Sequence, residues 1–188
     1  MYIREQGFMK KKIILLTGPK HSGKTSVAQA LKKLSGWEAS DLDEVLENKT
    51  GRTPRELFRE GRDIFQKAEA EALESLINPE DKEKDCLIIA AGGGLIDNNE
   101  AMALLSSHRE VICVYLDVPA ETAWQRIVKT ANGGELPPFL NTGNPAETHF
   151  ALHERRANAY KSMAQISIAS ENMSPEEIAE EIARLFDF

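Results

Sequence analysis

The sequence predicts an α/β domain in which a parallel sheet is covered by helices on both faces. Two observations carry this. Short apolar runs alternate strictly with helix-patterned segments, which requires right-handed crossovers between parallel strands. A glycine-rich turn, "GPKHSGKTS" (18–26), stands between the first apolar run and the first helical segment. At 188 residues, with 41% hydrophobic and 28% charged, the chain suffices for one well-buried core and is short for two, so a single domain is expected.

The elements follow in order. Strands are predicted at "KKIILLTG" (11–18), "CLIIAAGG" (86–93), "VICVYLDV" (111–118) and "QISIAS" (165–170), with a weaker one at "GWEAS" (36–40). Helices are predicted near 24–35, 54–77, 98–107, 120–131, 146–163 and 175–186. The last has its own start signal: Ser174 as N-cap, Pro175 at the first helical position and Glu177 completing a capping box. Ile178, Ile182 and Leu185 are then expected as its buried stripe. Residues 1–10, which precede the first strand, are read as an N-terminal extension to a domain spanning 11–188. The run "EDKEKD" (80–85) reads as a solvated turn. The segment "NGGELPPFLNTGNP" (132–145) is too rich in Gly, Pro and Asn for a helix and longer than most connections, so it reads as a mobile lid over a site.

Composition excludes several classes of function. A net charge of −7 argues against sequence-independent binding of nucleic acid, which needs Lys and Arg to displace condensed counterions. A small anionic ligand remains compatible, because a few local cations override the global sign. No apolar run approaches the roughly 18 residues of a membrane span, so a soluble, cytoplasmic protein is expected. Cys86 and Cys113 lie in apolar runs and are expected as reduced core residues. The sequence leaves oligomeric state open, and a monomer is compatible with it.

The glycine-rich turn fits G-x-x-x-x-G-K-[ST] through Gly18, Gly23, Lys24 and Thr25, in the strand-to-helix setting that gives this pattern its meaning. Backbone N–H groups of residues 20–25, with His21, Ser22 and Ser26 among the flanking side chains, are placed to curl around the phosphates of ATP at the positive end of a helix. Lys24 then reaches the β- and γ-oxygens, and the Thr25 hydroxyl is a ligand for Mg2+. The expected carboxylate beside the first strand is absent from "CLIIAAGGG", and Asp117, ahead of "PAET", suits a helix N-cap. Asp41 and Asp43 in "SDLDE" remain. One can serve the metal while the other takes a proton from an acceptor hydroxyl, and the same acids equally suit a helix start. His149 and His153 have metal-ligand spacing without a third ligand, and Trp37 and Trp124 read as packing residues.

From Lys11 to Phe188, the succession "GPKHSGKTS", "SDLDEVLE", "GRTPRELFREGRDIFQKAE", "AAGGGLI", the broken lid and "ERRANAY" resembles the shikimate kinase family. The resemblance implies a nucleoside-monophosphate-kinase-like P-loop fold, three layers around a five-stranded parallel sheet. It also implies transfer of phosphate from ATP, with Mg2+, to the 3-hydroxyl of shikimate. It assigns Asp41 to the metal shell and Asp43 to the substrate hydroxyls as base. Gly92, Gly93 and Gly94 become a close-approach turn at the substrate, Arg156 the partner of its carboxylate, and Arg126 a residue near adenine.

The departures are specific. Gln66 stands where the family has an arginine that grips the carboxylate. Pro137, Pro138 and Phe139 stand where its lid carries Arg-Pro-Leu, and His21 occupies a position usually held by glycine. Arg62 lies one turn before Gln66 on the predicted helix, so a pair of Arg62 and Arg156 holding an anionic substrate is expected, with a solvated Arg62 as the plain alternative. Two further functions stay open: a kinase for another hydroxylated acid such as gluconate, and a nucleotide-binding protein with little transferase activity.

Overall fold

A computed structural model describes residues 12–78 and 86–186. The expected N-terminal extension and the "EDKEKD" turn lie outside these residues. Five strands, β1 (Lys12–Thr17), β2 (Glu38–Asp41), β3 (Cys86–Ala90), β4 (Val111–Asp117) and β5 (Ile166–Ala169), form one parallel sheet in the order β2-β3-β1-β4-β5. The helices are α1 (Lys24–Ser35), α2 (Leu42–Thr50), α3 (Pro54–Glu60), α4 (Arg62–Ile77), α5 (Asn99–Ser107), α6 (Ala120–Ala131), α7 (Pro145–Met163) and α8 (Pro175–Phe186).

Strand alternation divides β1 between two cores. Ile13 and Leu15 face one with Leu42, Leu57 and Leu73 of α2, α3 and α4. Ile14 and Leu16 face the other with Val27 and Leu31 of α1 and Ile178 and Ile182 of α8. Helix α1 leaves β1 over the second face, whereas α5 leaves the neighbouring strand β3 over the first. Connections that part in this way open a crevice at the carboxyl ends of β1 and β3, the usual ligand position in an open α/β sheet.

Four expectations change. The predicted helix 54–77 is two helices, because Gly61 adopts an extended backbone (φ 163°, ψ 142°) between α3 and α4. Both pieces face the same core, so the apolar period runs through the break. The acids of "SDLDE" take the helix-start alternative, in a helix missing from the predicted elements: Asp41 ends β2 and N-caps α2 by accepting from the Asp43 N–H at 3.0 Å. Asp117 is not a cap. Helix α6 starts later, with Pro119 at the cap position, and Asp117 accepts from the Tyr115 hydroxyl and pairs with Lys161. Leu185 is 51% exposed, because Ile178, Ala179, Ile182 and Ala183, with Phe186 beside them, center the buried stripe of α8 about 90° from it.

The α8 capping box forms as expected, with Ser174 N–H donating to Glu177 and Glu177 N–H to Ser174 Oγ. Cys113 is buried and Cys86 half-buried. Trp37 packs partly buried against the α1 core, and the Trp124 ring lies 5.4 Å from that of His149. His149 and His153 each direct Nε2 to a backbone carbonyl, of Ala120 and Val118, at 2.9 Å. Among the described residues no cluster of three or more His, Cys, Asp or Glu is placed to hold a metal, and no helix is long and apolar enough to cross a membrane.

Candidate active site

The turn between β1 and α1 builds the first wall of the crevice. Gly18 is buried with φ 146°, and a Cβ there would stand 2.7 Å from the Leu116 carbonyl oxygen, so only glycine lets the turn pass this close to β4. Lys24 folds back over the turn, donating to the carbonyls of Gly18 (3.1 Å) and Pro19 (2.7 Å) and to Ser22 Oγ (3.3 Å). Burial lowers its pKa to about 8 against the opposing charge of Asp43. The backbone at His21 is left-handed (φ 60°) without being glycine, and its carbonyl accepts from Arg126 at 3.1 Å. Arg126 also reaches the Glu171 carbonyl at 3.5 Å, so it ties the loop to the segment after β5. Ser22 is buried within the turn, and Gly23 precedes the first residue of α1, whose exposed first turn contains Thr25 and Ser26.

Thr25 Oγ1 donates to Asp41 Oδ2 at 2.7 Å, and Asp41 Oδ1 accepts from the Asp43 N–H. The chain Thr25–Asp41–Asp43 thus runs from the phosphate turn to the second wall. A hydroxyl and a carboxylate meeting beside a polyphosphate cradle are the hard oxygen donors that suit Mg2+. Burial, aided by the charge of Asp41, raises the pKa of Asp43 against the pull of Lys20 and Lys24.

The second wall encloses a cavity of about 400 Å³, within the roughly 300–1,000 Å³ typical of small-molecule sites. Lys20, Arg55, Arg62, Arg155 and Arg156 line it against Asp43, Glu69 and Asp97, with Gln66, Gly92, Gly93, Gly94, Pro137, Pro138 and Phe139. The structure therefore brings together all the residues expected at the substrate. The glycine turn is held against the phosphate turn: a Cβ on Gly93 would stand 3.0 Å from Lys20 N. Gly92 abuts Glu69 and Asp43, and Gly94 abuts Arg156.

Arg156 donates through Nε and Nη2 to Asp97 Oδ2 (2.9 and 2.8 Å), while Arg155 grips both Asp97 oxygens (2.7 and 3.0 Å). Burial alone would raise the Asp97 pKa, but the hydrogen bonds and charges of the two arginines hold it below its ordinary value. The guanidinium of Arg156 lies 5.4 Å from the center of the Phe139 ring of the lid segment. Its helix is anchored one turn later, where Tyr160 stacks on Tyr115 with 5.5 Å between ring centers and its hydroxyl lies 3.5 Å from the Gly92 carbonyl. Gln66 is engaged elsewhere, donating to the Asp97 carbonyl at 2.8 Å. Arg62 is exposed at the cavity and makes no hydrogen bond or ion pair among the described residues.

The sequence assigns no side-chain role to Glu69, Asp97, Asn98, Arg155 or Lys20. Glu69 is 1% exposed; its Oε2 accepts from Asn98 Nδ2 at 2.9 Å while Oε1 is buried without a partner among the described residues. Burial raises its pKa to about 7 against that hydrogen bond. A carboxylate four residues from both Phe65 and Leu73, which face the same core, was the available signal for it. Nothing in "LIDNNE" announces that Asp97 folds beneath two arginines. On the lid segment, Glu135 pairs with Arg55 (2.7 Å) and Arg59 (3.1 Å) of α3, and Pro138–Leu140 form a 3-10 turn that buries Leu140.

Comparison with known proteins agrees with this geometry. Residues 20–186 match the family model "Shikimate kinase". A shikimate kinase of Marinomonas sp. is 32% identical over 170 residues, 90% of this chain and 88% of that one. The solved shikimate kinase from Acinetobacter baumannii, in complex with shikimate, superposes with a TM-score of 0.80 at 31% identity over 95% of this chain and 94% of that one. The enzyme from Aquifex aeolicus gives 0.71 at 27% identity over 93% and 96%. With a P-loop, a glycine turn and an arginine-lined cavity converging on one crevice, the chain belongs to the shikimate kinase family.

Proposed function

We propose that the protein transfers the γ-phosphoryl group of ATP to the 3-hydroxyl of shikimate, as a cytoplasmic enzyme of aromatic amino-acid biosynthesis. The observation that carries the reading is the Thr25–Asp41–Asp43 chain, which joins the phosphate turn to a cavity where arginines face a carboxylate with a raised pKa. Thr25 and Asp41 would hold Mg2+, which supplies charge neutralization at the phosphates when bound. Lys24 and the loop N–H groups receive the phosphate chain. Arg156, fixed by Asp97 and Tyr160, offers its remaining guanidinium donors to the substrate carboxylate, and Arg62 adds charge at the cavity wall. The acceptor oxygen attacks phosphorus, the bond from phosphorus to the ADP oxygen breaks, and the hydroxyl proton passes to Asp43, whose elevated pKa favors its capture. Residues 132–145 act as the lid that excludes water.

Phosphorus NMR of the product tests this. A phosphate monoester on the shikimate 3-oxygen with release of ADP is expected, and free inorganic phosphate alone would contradict it. A second reading, a kinase for a gluconate-like acid, is favored by Gln66, which is committed to Asp97, and by a lid segment without Lys or Arg. Ester formation on gluconate in preference to shikimate would establish it.

A further inference from the structure

We propose that Lys20 is a catalytic cation of the transfer step, an ammonium group that the phosphate turn extends into the acceptor cavity to bear on the oxygens of the migrating phosphoryl group. The inference rests on the kinase reading above. Among turn residues 18–26, all of them described, Lys20 is the one that lines the larger cavity. It also lines a smaller cavity between the turn, the lid segment and α7, so this exposed residue stands where the two walls meet. Its backbone is seated on the glycine turn through the close approach to Gly93, which fixes where the side chain emerges.

The other cations of the crevice are held by partners or rise from the acceptor wall. Arg55 is tied to Glu135, and Arg155 and Arg156 are tied to Asp97. Arg62 enters from the first residue of α4. Lys24 lies folded onto its own turn. Lys20 makes no hydrogen bond or ion pair among the described residues, and it lines the same cavity as Asp43.

The chemistry calls for such a group. As the acceptor oxygen bonds to phosphorus and the bond to ADP breaks, negative charge spreads over the migrating phosphoryl oxygens and the departing ADP oxygen, and preorganized cations there lower the barrier. The lid sequence 132–145 contains no Lys or Arg, so it brings no positive charge of its own. A lysine from the turn supplies it from below.

The experiment compares wild type with Lys20→Met and Lys20→Arg in the full chain. Calorimetry measures binding of Mg·ADP alone and of Mg·ADP with aluminum fluoride, a mimic of the migrating phosphoryl group that needs no acceptor, alongside kcat on shikimate. Lys20→Met is expected to lower kcat and fluoroaluminate affinity by about 100-fold each while Mg·ADP affinity stays within about twofold. Lys20→Arg is expected to recover most of both. Unchanged fluoroaluminate affinity in Lys20→Met, or an equal loss for Mg·ADP and its fluoroaluminate complex, would overturn the inference. If wild type fails to phosphorylate shikimate, the proposed acceptor is wrong, and the acceptor-free fluoroaluminate comparison still decides the role of Lys20.

Discussion

The two walls of the crevice are made of different materials. The phosphate wall is mostly backbone: a left-handed turn, loop carbonyls that fold Lys24 inward, and the N-terminus of α1. The acceptor wall is mostly side chains, with an aspartate shared by two arginines, a half-satisfied buried glutamate, and an asparagine and glutamine that tie α4 to the turn after β3. A backbone site follows from a short local motif and tolerates little variation. A side-chain network can be rewired one residue at a time: here Gln66 serves Asp97, and the charge stands at Arg62, Arg155 and Arg156.

If the phosphate wall works as a unit, Lys24→Met gives the largest effect. A loss of about 10³-fold in kcat is expected, because both the cation and the fold of the loop around it are removed. Steady-state kinetics checks this, and a change confined to KM would break the contrast.

The next effect tests the acceptor wall through pH. Glu69 binds its proton more tightly folded than unfolded, since its pKa is raised from 4.5 to about 7. Between these values the native state holds a proton that the unfolded state has lost, so stability is full below the lower value and falls as pH rises through the window, by about 3 kcal/mol in total. Glu69→Gln should flatten this slope in urea titrations at pH 5 and pH 8, and an unaltered slope would place the titrating group elsewhere.

Asp43→Asn should lower kcat by about 10²-fold and remove the acid limb of the pH–rate profile. Arg156→Ala should act on the KM for the acceptor acid, by about 10- to 100-fold, with kcat changed less. Arg62→Ala sharpens the comparison with the smallest shift, a few-fold rise in the same KM, because the side chain is exposed and unpaired among the described residues. Equal effects of Arg156→Ala and Arg62→Ala would show that the Asp97 anchor adds nothing to recognition.

Legibility in the sequence follows the same division. The order of strands and helices was readable because each element buries a periodic face, and the phosphate turn was readable because its residues are contiguous. The break at Gly61 was not, since α3 and α4 present apolar residues to the same core and the period continues across it. Helix α2 was hidden behind two acids whose capping geometry only the fold decides. Asp43, Gly92, Gly93, Gly94 and Arg156 were legible through family resemblance. Asp97 was not, because its role depends on α7 crossing the turn after β3, a contact between residues 58 and 59 positions apart in the chain. Lys20 sat inside the motif but at one of its unspecified positions, so the pattern assigned its side chain nothing.

On the proposed function, one crevice couples ATP to the hydroxyl of a carboxylate-bearing ring. The most direct test is the rate of ADP release with Mg·ATP and shikimate, set against the methyl ester of shikimate and against gluconate. Rapid release with shikimate, slower release with the ester because Arg156 has no carboxylate to grip, and little release with gluconate are predicted. Equal rates with shikimate and its ester, or ADP release indifferent to any acceptor, would contradict it.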